Sequence, residues 1–417
     1  MIINFKGGTG DFMVASGNLL IYAPVPLVQT EKGLHLEDQA CNGLKLWAEN
    51  FDTVTAMHPV RQGALPKAWR PISTIGPSLD RIRLVPLPMA YRPDQFLRHF
   101  WATRGVIRSE IGQADYLSFS IGGLFGDWGS VASWQAHRLG RSFAVWTDRV
   151  ESEVVRRTTS SGPWRRRLRA RLEHRPMWWW EKFIIRRSTL GLFHGKETFD
   201  TYAPYCRQPE LVHDIHIDRS EHIQPADLQA KVAKVRQGPL KIVYAGRADA
   251  MKGPSDWISV LRHLHKAGVE FEATWLGDGP ELPAMRAQAA EAGLEQKVRF
   301  AGFVNDRQAT MAHLREAQLF LFCHKTPESP RCLIEALVSG TPIVGYEGAF
   351  SRDLVSEHKG GQLVPLNDVA ALSEAVRDLA RNRDALGLLI NKAAKDGVPF
   401  DDESVFQHRS EMIRRYL

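Results

Sequence analysis

Short apolar runs alternate with amphipathic stretches along nearly the whole chain. The runs have the length and composition of buried strands; they are LLIYAPVPLV (19–28), TVTAMHP, IRLVPLP, ADYLSFSIG, SFAVWTD, TLGLFHG and LVHDIHI, then LKIVYAG, FEATWLGDG, KVRFAGFV, LFLFCH, PIVGY and GGQLVP. Between them apolar residues recur at helical spacing, as Trp257, Ile258, Leu261 and Leu264 do. Strands that alternate with helices predict an α/β fold in which parallel sheets carry helices on both faces.

A polar segment from Asp218 to Gly238 interrupts the alternation, and we interpret it as a linker between domains. A chain of 417 residues is long enough for two or three domains. We predict a Rossmann-like domain over 1–225, a second one over 238–397, and a helix over 398–417 that packs back on the N-terminal domain. Ligands of doubly wound sheets bind beyond the carboxyl ends of the strands, so the loops that follow strands are the candidate sites.

The overall composition is that of a soluble globular protein, with 44% apolar and 24% charged residues. The four cysteines are scattered without zinc-ligand spacing, which favours a reduced, cytosolic chain. We find no secretion signal and no apolar run near the roughly 20 residues that span a bilayer. Residues 1–18 are rich in glycine, and their GGTG is a weak phosphate-loop signal. We therefore expect a protein of the cytoplasm or of the inner face of a membrane.

The net charge of +7 comes from one segment. Residues 156–187, which we call the basic arm, hold eleven Lys and Arg against two Glu. Apolar residues are interleaved with them, namely Trp164, Trp178, Trp179, Trp180, Phe183, Ile184 and Ile185. Such a mixture suits nucleic acid, or an anionic membrane surface. A third interpretation is a solvated basic helix followed by a core strand.

Two loops of the C-terminal half have the composition of an anion site. In GRADAMKG, Arg247 and Lys252 follow Gly246, and a helix begins directly after them. Cations beside a helix N-terminus suit a diphosphate; the alternative is a solvated loop with two charges. In LGDGPE, Asp278 is followed by Gly279, and glycine permits close backbone approach. The same residues are also common in ordinary turns.

A third loop, in ESPRCLIEALVSG, places two glutamates around the start of a helix. Ser329 is the predicted N-cap and Pro330 the first helical residue. Glu328 then lies in the loop, and Glu335 lies about one and a half turns inside, beside apolar positions. A carboxylate there needs hydrogen-bond donors, and a ribose diol would supply two. The alternative is a helix-dipole glutamate followed by a surface glutamate.

Four motifs of this half carry a family resemblance. YAGRADAMKG, TWLGDGPEL, VRFAGFV and CLIEALVSGTPIV follow one another in the order and spacing of retaining GT-B glycosyltransferases of the large GT4 group. The sequence resembles that group from about residue 240 to 395, and only in topology before that. The resemblance implies the GT-B fold, which is two doubly wound Rossmann-like domains that face each other across a cleft.

The resemblance also implies roles for individual residues. Arg247 and Lys252 would bind the diphosphate of a nucleotide-sugar donor and stabilise the charge that grows on the leaving nucleoside diphosphate. Glu335 would hold the ribose. Glu328 would be the carboxylate near the donor sugar, although the family's position is one residue earlier, at Pro327.

The departure from the family continues on the far side of Glu328. The family's glycines are replaced by Ser329 and Pro330. Since proline has no N–H, the backbone donors facing the sugar would be those of Arg331 and Cys332. The resemblance implies no metal and no cofactor, because the donor, a UDP- or GDP-sugar, is itself a substrate and the sequence has no convincing DxD pair.

The N-terminal half would bind the acceptor. Candidates at strand ends are Asp127, in GGLFGDWG, and Asp148, in WTDRVE. Of the two, we take Asp148 as a candidate catalytic carboxylate. Both are also common types of cap or turn residue. Gly33, after the first strand, is predicted to belong to the loop that faces the diphosphate.

These observations favour a metal-independent retaining glycosyltransferase, of the hexosyltransferase type, that builds a bacterial surface polysaccharide or glycolipid. The acceptor would be a glycan linked to a polyprenyl diphosphate, and the basic arm would hold the enzyme on the inner face of the membrane, with nucleic acid as the less favoured partner. The alternatives are a GT-B enzyme of other chemistry, such as a sugar-nucleotide epimerase, and a non-catalytic scaffold that binds a membrane or nucleic acid.

Overall fold

The structure of the chain is a computed structural model in which residues 17–31, 33–66, 68–157, 164–213, 215, 217–326 and 329–417 are described. The GGTG segment, Pro327 and Glu328 lie outside the described residues, so the predictions made for them are not addressed by the structure. The described residues form two separate sheets, one in each half of the chain.

The first sheet contains β1 (Asn18–Tyr22), β2 (Leu27–Thr30), β3 (Gly33–Glu37), β4 (Thr53–Gln62), β5 (Trp69–Pro71), β6 (Ile82–Pro88), β7 (Tyr116–Ser120), β8 (Ala144–Thr147), β9 (Leu190–His194) and β10 (Gln208–Val212). Its helices are α1 (Asp38–Asn50), α2 (Pro93–Gln113), α3 (Trp128–Arg138), α4 (Glu151–Arg157), α5 (Trp164–Ile185) and α6 (Gly195–Tyr202). Short 3-10 helices cover Ile72–Arg81 and Ala203–Tyr205.

The strand order is β10-β9-β8-β7-β1-β4-β2-β3-β5, with β6 also paired to β4. The first half of β4 pairs with β1 and its second half with β2, both in parallel. The prediction of a single strand over 19–28 is therefore wrong. The chain leaves the ladder between β1 and β2, where Pro24 and Pro26 have no N–H to donate.

The second sheet contains β11 (Leu240–Ala245), β12 (Phe271–Leu276), β13 (Val298–Gly302), β14 (Leu319–Phe322), β15 (Ile343–Tyr346) and β16 (Gly361–Val364). The helices of this half are α7 (Pro225–Ala233), α8 (Pro254–Lys266), α9 (Leu282–Glu291), α10 (Arg307–Glu316), α11 (Arg331–Val338), α12 (Ala349–Leu354), α13 (Val369–Arg381), α14 (Arg383–Gly397) and α15 (Asp402–Tyr416). The order β13-β12-β11-β14-β15-β16 is parallel throughout, which confirms the predicted doubly wound α/β class.

The segment 218–238 is more than a linker, because it contains α7 and a 3-10 turn, Arg219–Glu221. Lys231 on α7 is half-buried, and its Nζ donates to the Ser339 carbonyl (3.2 Å) and to Thr341 Oγ1 (2.6 Å). Burial lowers the pKa of Lys231 well below its usual value. This segment is therefore packed onto the second sheet. The predicted strand over 211–217 is also shifted, since β10 ends at Val212.

The chain crosses between the two halves a second time before α15, which packs against α1. Phe406 meets Trp47 edge-on, with ring centroids 4.9 Å apart, and Arg414 Nη1 donates to the Asn50 carbonyl (2.7 Å). Asn42 Nδ2 donates to Asp402 Oδ2 (2.8 Å) at the start of the same helix. The helix closest to the C-terminus thus covers the first helix of the N-terminal half.

The basic arm is mostly the helix α5, which divides into two faces. Ala170, Met177, Glu181, Ile184 and Ile185 are buried. The prediction that Ile184 and Ile185 belong to a membrane-facing cluster is wrong, because both side chains lie fully inside the N-terminal core. They also lie in the helix, not in the core strand of the third interpretation. The opposite face exposes four large apolar side chains, which are Trp164, Leu168, Leu172 and Trp179.

Candidate functional site

The strand order of the second sheet runs outward from β11 in two directions, through β12 and β13 on one side and through β14, β15 and β16 on the other. The position between β11 and β14 is therefore the topological switch point. Crevices form at the carboxyl ends of strands at such a switch point. The loop 246–253 follows β11, residues 323–326 follow β14, and Ser329 and Pro330 precede α11. The sequence candidates Arg247, Lys252 and Arg331 therefore lie in loops or at a helix start on one edge of the sheet.

The loop after β11 is braced from beneath, and its charged side chains are not buried. Gly253 has a left-handed conformation (φ 64°), and a Cβ there would collide with the Cys323 carbonyl oxygen. Lys325 N donates to the Met251 carbonyl (2.8 Å), which joins the two loops. Arg247 is about three-quarters exposed, and its Nε lies 3.4 Å from Asp249 Oδ2. The braced loop thus carries an exposed Arg247 at the carboxyl end of β11, and Lys252 is half-buried in the following turn.

The glycines of the GDG loop have a packing role that the sequence did not reveal. A Cβ at Gly277 would collide with the Gly246 carbonyl, and one at Gly279 with the Ala248 backbone. Ala248 N donates to the Asp278 carbonyl (3.0 Å), so the two loops pair through their backbones. The exposed Asp278 carboxylate accepts from Gly279 N (2.8 Å), a turn contact. Asp278 and Gly279 therefore support the first loop, and their contact with a ligand stays a prediction.

Glu335 is one partner in an ion cluster that sequence reasoning missed. Arg307 Nη1 donates to Glu335 Oε1 (2.9 Å), while its Nε and Nη2 donate to the two carboxylate oxygens of Glu221 (2.6 and 3.0 Å). Burial lowers the pKa of Arg307, but the carboxylates of Glu221 and Glu335 raise it by more. The pKa of Arg307 therefore lies above its usual value. Arg307 is the first residue of α10, and Asp306 is the N-cap of that helix.

The start of α11 touches the N-terminal half. The helix begins at Arg331 with Pro330 as its N-cap, one residue later than predicted from Ser329. Arg331 Nη1 donates to Gln39 Oε1 in the first turn of α1 (2.6 Å). This side chain therefore bridges the two halves, while its backbone N–H and that of Cys332 lie in the first turn of α11. Their predicted contact with a sugar remains untested.

On the N-terminal side, the structure distinguishes the two aspartates. Asp127 is buried after β7, beside β1, and is the N-cap of α3: it accepts from Ser130 N (3.1 Å) and Gly122 N (3.0 Å). Burial raises the pKa of this carboxyl despite those donors. Asp148 is exposed after β8, one strand further from β1. Asp127 therefore lies at the switch point of this sheet, and Asp148 does not.

Gly33 does not lie in a loop that directly follows the first strand. It opens β3 at the turn of the β2–β3 hairpin, opposite Thr30, with a φ of 105°. The hairpin is inserted between β1 and α1, which the single-strand interpretation of 19–28 had hidden. The role of Gly33 near a diphosphate stays a prediction.

A cavity of about 270 Å³ opens at the carboxyl ends of β14 and β15, and Glu197 of α6 closes it from the N-terminal half. His324 and Pro330 line it, and His324 Nε2 lies 2.8 Å from the Tyr244 hydroxyl. Burial, and then the Lys252 ammonium, lower the pKa of His324 well below its usual value. The neutral imidazole of His324 thus lies near Lys252 of the predicted diphosphate loop. The sequence analysis did not identify His324 as a residue of the site.

In the part of the chain that the structure describes, no group of three or more His, Cys, Asp or Glu side chains is arranged to hold a metal ion. Within the same residues, no helix has both the length and the apolarity that crossing a bilayer requires.

Comparisons of sequence show that the C-terminal half is similar to a known family. Residues 226–396 match the family model described as "Glycosyl transferases group 1". The chain is 26% identical over 200 residues to the amylovoran biosynthesis glycosyltransferase AmsK of Erwinia amylovora, covering 46% of this chain and 49% of the relative. It is 27% identical over 224 residues to the 2-deoxystreptamine N-acetyl-D-glucosaminyltransferase of Streptomyces fradiae, covering 51% and 53%. The chain thus spans about half the length of these curated relatives.

Comparisons of structure extend over the whole chain and concern the fold. The Anabaena protein Alr3699/HepE, solved in complex with UDP, matches 96% of this chain and 100% of its own with a TM-score of 0.65 at 14% identity. WaaG, a glycosyltransferase involved in lipopolysaccharide biosynthesis, matches 95% and 99% with a TM-score of 0.59 at 13% identity. These similarities confirm the predicted GT-B fold.

Proposed function

We propose that this chain is a glycosyltransferase that moves a sugar from a nucleoside-diphosphate sugar to a glycan acceptor in polysaccharide or glycolipid synthesis, because residues 226–396 match the family model of the glycosyl transferases group 1. The observation that carries the proposal is the placement of Arg247 and Lys252 on a braced loop at the switch point of the second sheet. The polysaccharide role is supported by the name of the relative AmsK.

In the proposed reaction the bond between the sugar's anomeric carbon and the diphosphate oxygen breaks. Negative charge then grows on the diphosphate, and the Arg247 guanidinium and Lys252 ammonium stabilise it. The acceptor hydroxyl forms the new bond on the same face of the sugar, so the configuration is retained, and its proton passes to the departing phosphate oxygen. Glu335 accepts hydrogen bonds from the ribose hydroxyls. Two cations on the diphosphate make a metal ion unnecessary in this scheme.

The donor is proposed to be a UDP- or GDP-sugar, and UDP is the first choice because the fold relative HepE was solved with it. The test is a thermal shift of the full chain with each nucleotide and nucleotide sugar. We expect stabilisation by one of them, lost in Arg247→Ala and in Lys252→Ala. Lys395→Ala, which removes an exposed cation from α14, is the matched control. Absence of any nucleotide response in the wild type would favour the non-catalytic scaffold.

We further propose that the acceptor is lipid-linked and that the protein attaches peripherally to the cytoplasmic face of the cell membrane. The exposed face of α5 supports this, because Trp164, Leu168 and Leu172 recur every four residues and Trp179 continues the stripe. Exposed Arg167, Arg171 and Arg175 flank them on a helix that lies on the surface of the N-terminal half. Tryptophan and arginine together suit the interface of an anionic bilayer.

Vesicle flotation of the full chain tests the attachment. We expect binding to vesicles that contain an anionic lipid and little binding to zwitterionic ones. Leu172→Ser should weaken it, whereas Leu388→Ser, an equally exposed leucine on α14, should leave it unchanged. Binding that ignores lipid charge, or that responds equally to both substitutions, would remove the proposal.

A further inference from the structure

A cavity of about 510 Å³ lies along the C-terminal half of α5, outside the donor site. We call it the α5 cavity, and its lining residues are Leu124, Pro176, Trp179, Trp180, Lys182, Phe183, Arg186 and Arg187. Three of them are cations within six residues, Lys182 in the last turn of α5 and Arg186 and Arg187 in the turn that follows it. Their contacts show how so much positive charge is held in one place.

Aromatic rings, and not carboxylates, hold these cations. Lys182 Nζ lies 4.7 Å from the Trp178 ring centroid, 5.0 Å from that of Trp179 and 5.1 Å from that of Tyr205. Arg186 Cζ lies 5.2 Å from the Tyr205 centroid. Ring faces attract and orient a cation but carry no net charge, so they do not neutralise it.

Arg187 completes the set. Its guanidinium stacks on Phe183, 3.5 Å from the centroid, and Nη1 donates to the Phe183 carbonyl (2.9 Å). Its Nε is buried without an acceptor. Among the described residues, no carboxylate lies within the 4.0 Å of an ion pair from Lys182, Arg186 or Arg187. The cavity therefore holds three charges for which the described part of the chain supplies no counterion.

The ligand that these features fit is anionic at one end and apolar at the other. Arginine and lysine side by side suit phosphate oxygens, which accept several hydrogen bonds at once. Trp179 lines the cavity and also belongs to the exposed stripe of α5, so apolar surface continues directly from the charged cavity. A phospholipid in a bilayer has this arrangement of a phosphate above acyl chains.

We propose that the α5 cavity is a binding site for the phosphate headgroup of an anionic phospholipid. The inference rests on the proposed membrane attachment and sharpens it, because a cavity selects a headgroup whereas a basic surface responds only to charge density. Lys182 and Arg186 would contact the phosphate, and Trp179 would lie against the glycerol and upper acyl region.

The experiment compares vesicles of equal surface charge and of different chemistry. Full-length protein is floated with vesicles that contain phosphatidylglycerol, and with vesicles whose charge, matched by zeta potential, comes from oleate carboxylates. Calorimetry with dihexanoyl phosphatidylglycerol below its micelle concentration supplies a second, bilayer-free readout. The test variant is Lys182→Gln/Arg186→Gln, and the matched control is Arg262→Gln/Lys266→Gln, which removes equal charge from two exposed positions of α8 in the C-terminal half.

We expect at least tenfold tighter binding to phosphatidylglycerol than to oleate vesicles, and one-to-one binding of the soluble lipid. Both should be lost in the test variant and kept in the control. Arg186→Gln alone, at an exposed position, repeats the test if the double variant does not fold. Equal binding to both vesicle types, or equal loss of binding in both double variants, would contradict the headgroup site in the α5 cavity. Neither result would contradict the proposed membrane attachment. Absence of flotation of the wild type would overturn both.

Discussion

Glu335 meets Arg307 at one of its carboxylate oxygens, and this contact changes how a ribose site is understood. The guanidinium holds Glu335 Oε1 and both oxygens of Glu221 at once, with all three side chains at least half-buried. The bidentate pair with Glu221 fixes the plane of the guanidinium, and Nη1 in that plane then fixes the direction of Glu335 Oε1. Glu335 is therefore oriented before any nucleotide arrives, with Oε2 remaining for a ribose hydroxyl.

We predict that Arg307→Ala weakens nucleotide binding by about tenfold, because Glu335 loses its orientation and two carboxylates are left near each other. Arg307→Lys should recover only part of the loss, since an ammonium cannot bond both partners in plane. Calorimetric titration with the nucleotide that stabilises the wild type measures this. Unchanged affinity in Arg307→Ala would show that Glu335 does not depend on the cluster.

The glycines of the GDG loop give a second residue-scale prediction. Gly277→Ala places a Cβ against the Gly246 carbonyl, and we expect a loss of unfolding free energy of about 2–4 kcal/mol from strain and overpacking. Gly293→Ala is the control, because its φ is also positive (68°) but its Cβ would meet nothing within 4 Å. Chemical denaturation compares them, and equal losses would mean that backbone conformation alone requires glycine.

Residues could be placed from the sequence as far as local patterns reach. The positions of Arg247, Lys252 and Glu335 follow from strand ends and from a helix start, and the structure puts them in those elements. Arg307 could not be found, because its partners Glu221 and Glu335 are 86 and 28 residues away. Only the folded chain brings such charges together.

At the scale of elements, Glu181 joins three helices at one buried carboxyl. It accepts from Ser152 N (3.0 Å) and Ser152 Oγ (2.6 Å) on α4, and from the Tyr202 hydroxyl (2.9 Å) on α6. Burial raises the pKa of Glu181 to about 7, even though these three donors lower it. The helix that carries the exposed stripe is thus attached to its neighbours by a group that titrates near neutrality.

The stability of the protein should therefore depend on pH through Glu181. The unfolded carboxyl titrates near 4.5, so between about 4.5 and 7 the folded protein binds the extra proton. Stability then falls as the pH rises through this window, by on the order of 3 kcal/mol. Urea denaturation at pH 5 and 8 measures the difference. Glu181→Gln should reduce it, while Glu374→Gln, an exposed carboxyl on α13, should not.

Elements with a single clear period were predicted well, and those with mixed signals were not. The parallel strands of the second sheet were evident as buried apolar runs. In α5 the arginines suggested a solvated surface and the isoleucines a strand or membrane segment. One helix accommodates both kinds of residue, because the exposed arginines and the buried isoleucines lie on different faces of α5. Composition alone does not reveal which residues share a helix face.

At the scale of the whole molecule, the chain returns to the N-terminal half after α14, and α15 packs there against α1. Phe406→Ala should lower the unfolding free energy by about 3–5 kcal/mol, because it removes a buried ring from its contact with Trp47. Hydrogen exchange should rise in α1, far away in sequence, and Phe303→Ala, a mostly exposed ring, should not have this effect. Unchanged exchange over 38–50 would show that α15 is dispensable there.

The same packing has a consequence for the order of events during synthesis on the ribosome. The strands of the first sheet are complete at Val212, yet the apolar face of α1 that receives Phe406 stays uncovered until residues 213–401 have been translated. The half that is made first is therefore finished last. A nascent chain that pauses within the second half exposes Trp47 and its neighbours to chaperones, and this half of the molecule is where misassembly in the cell would begin.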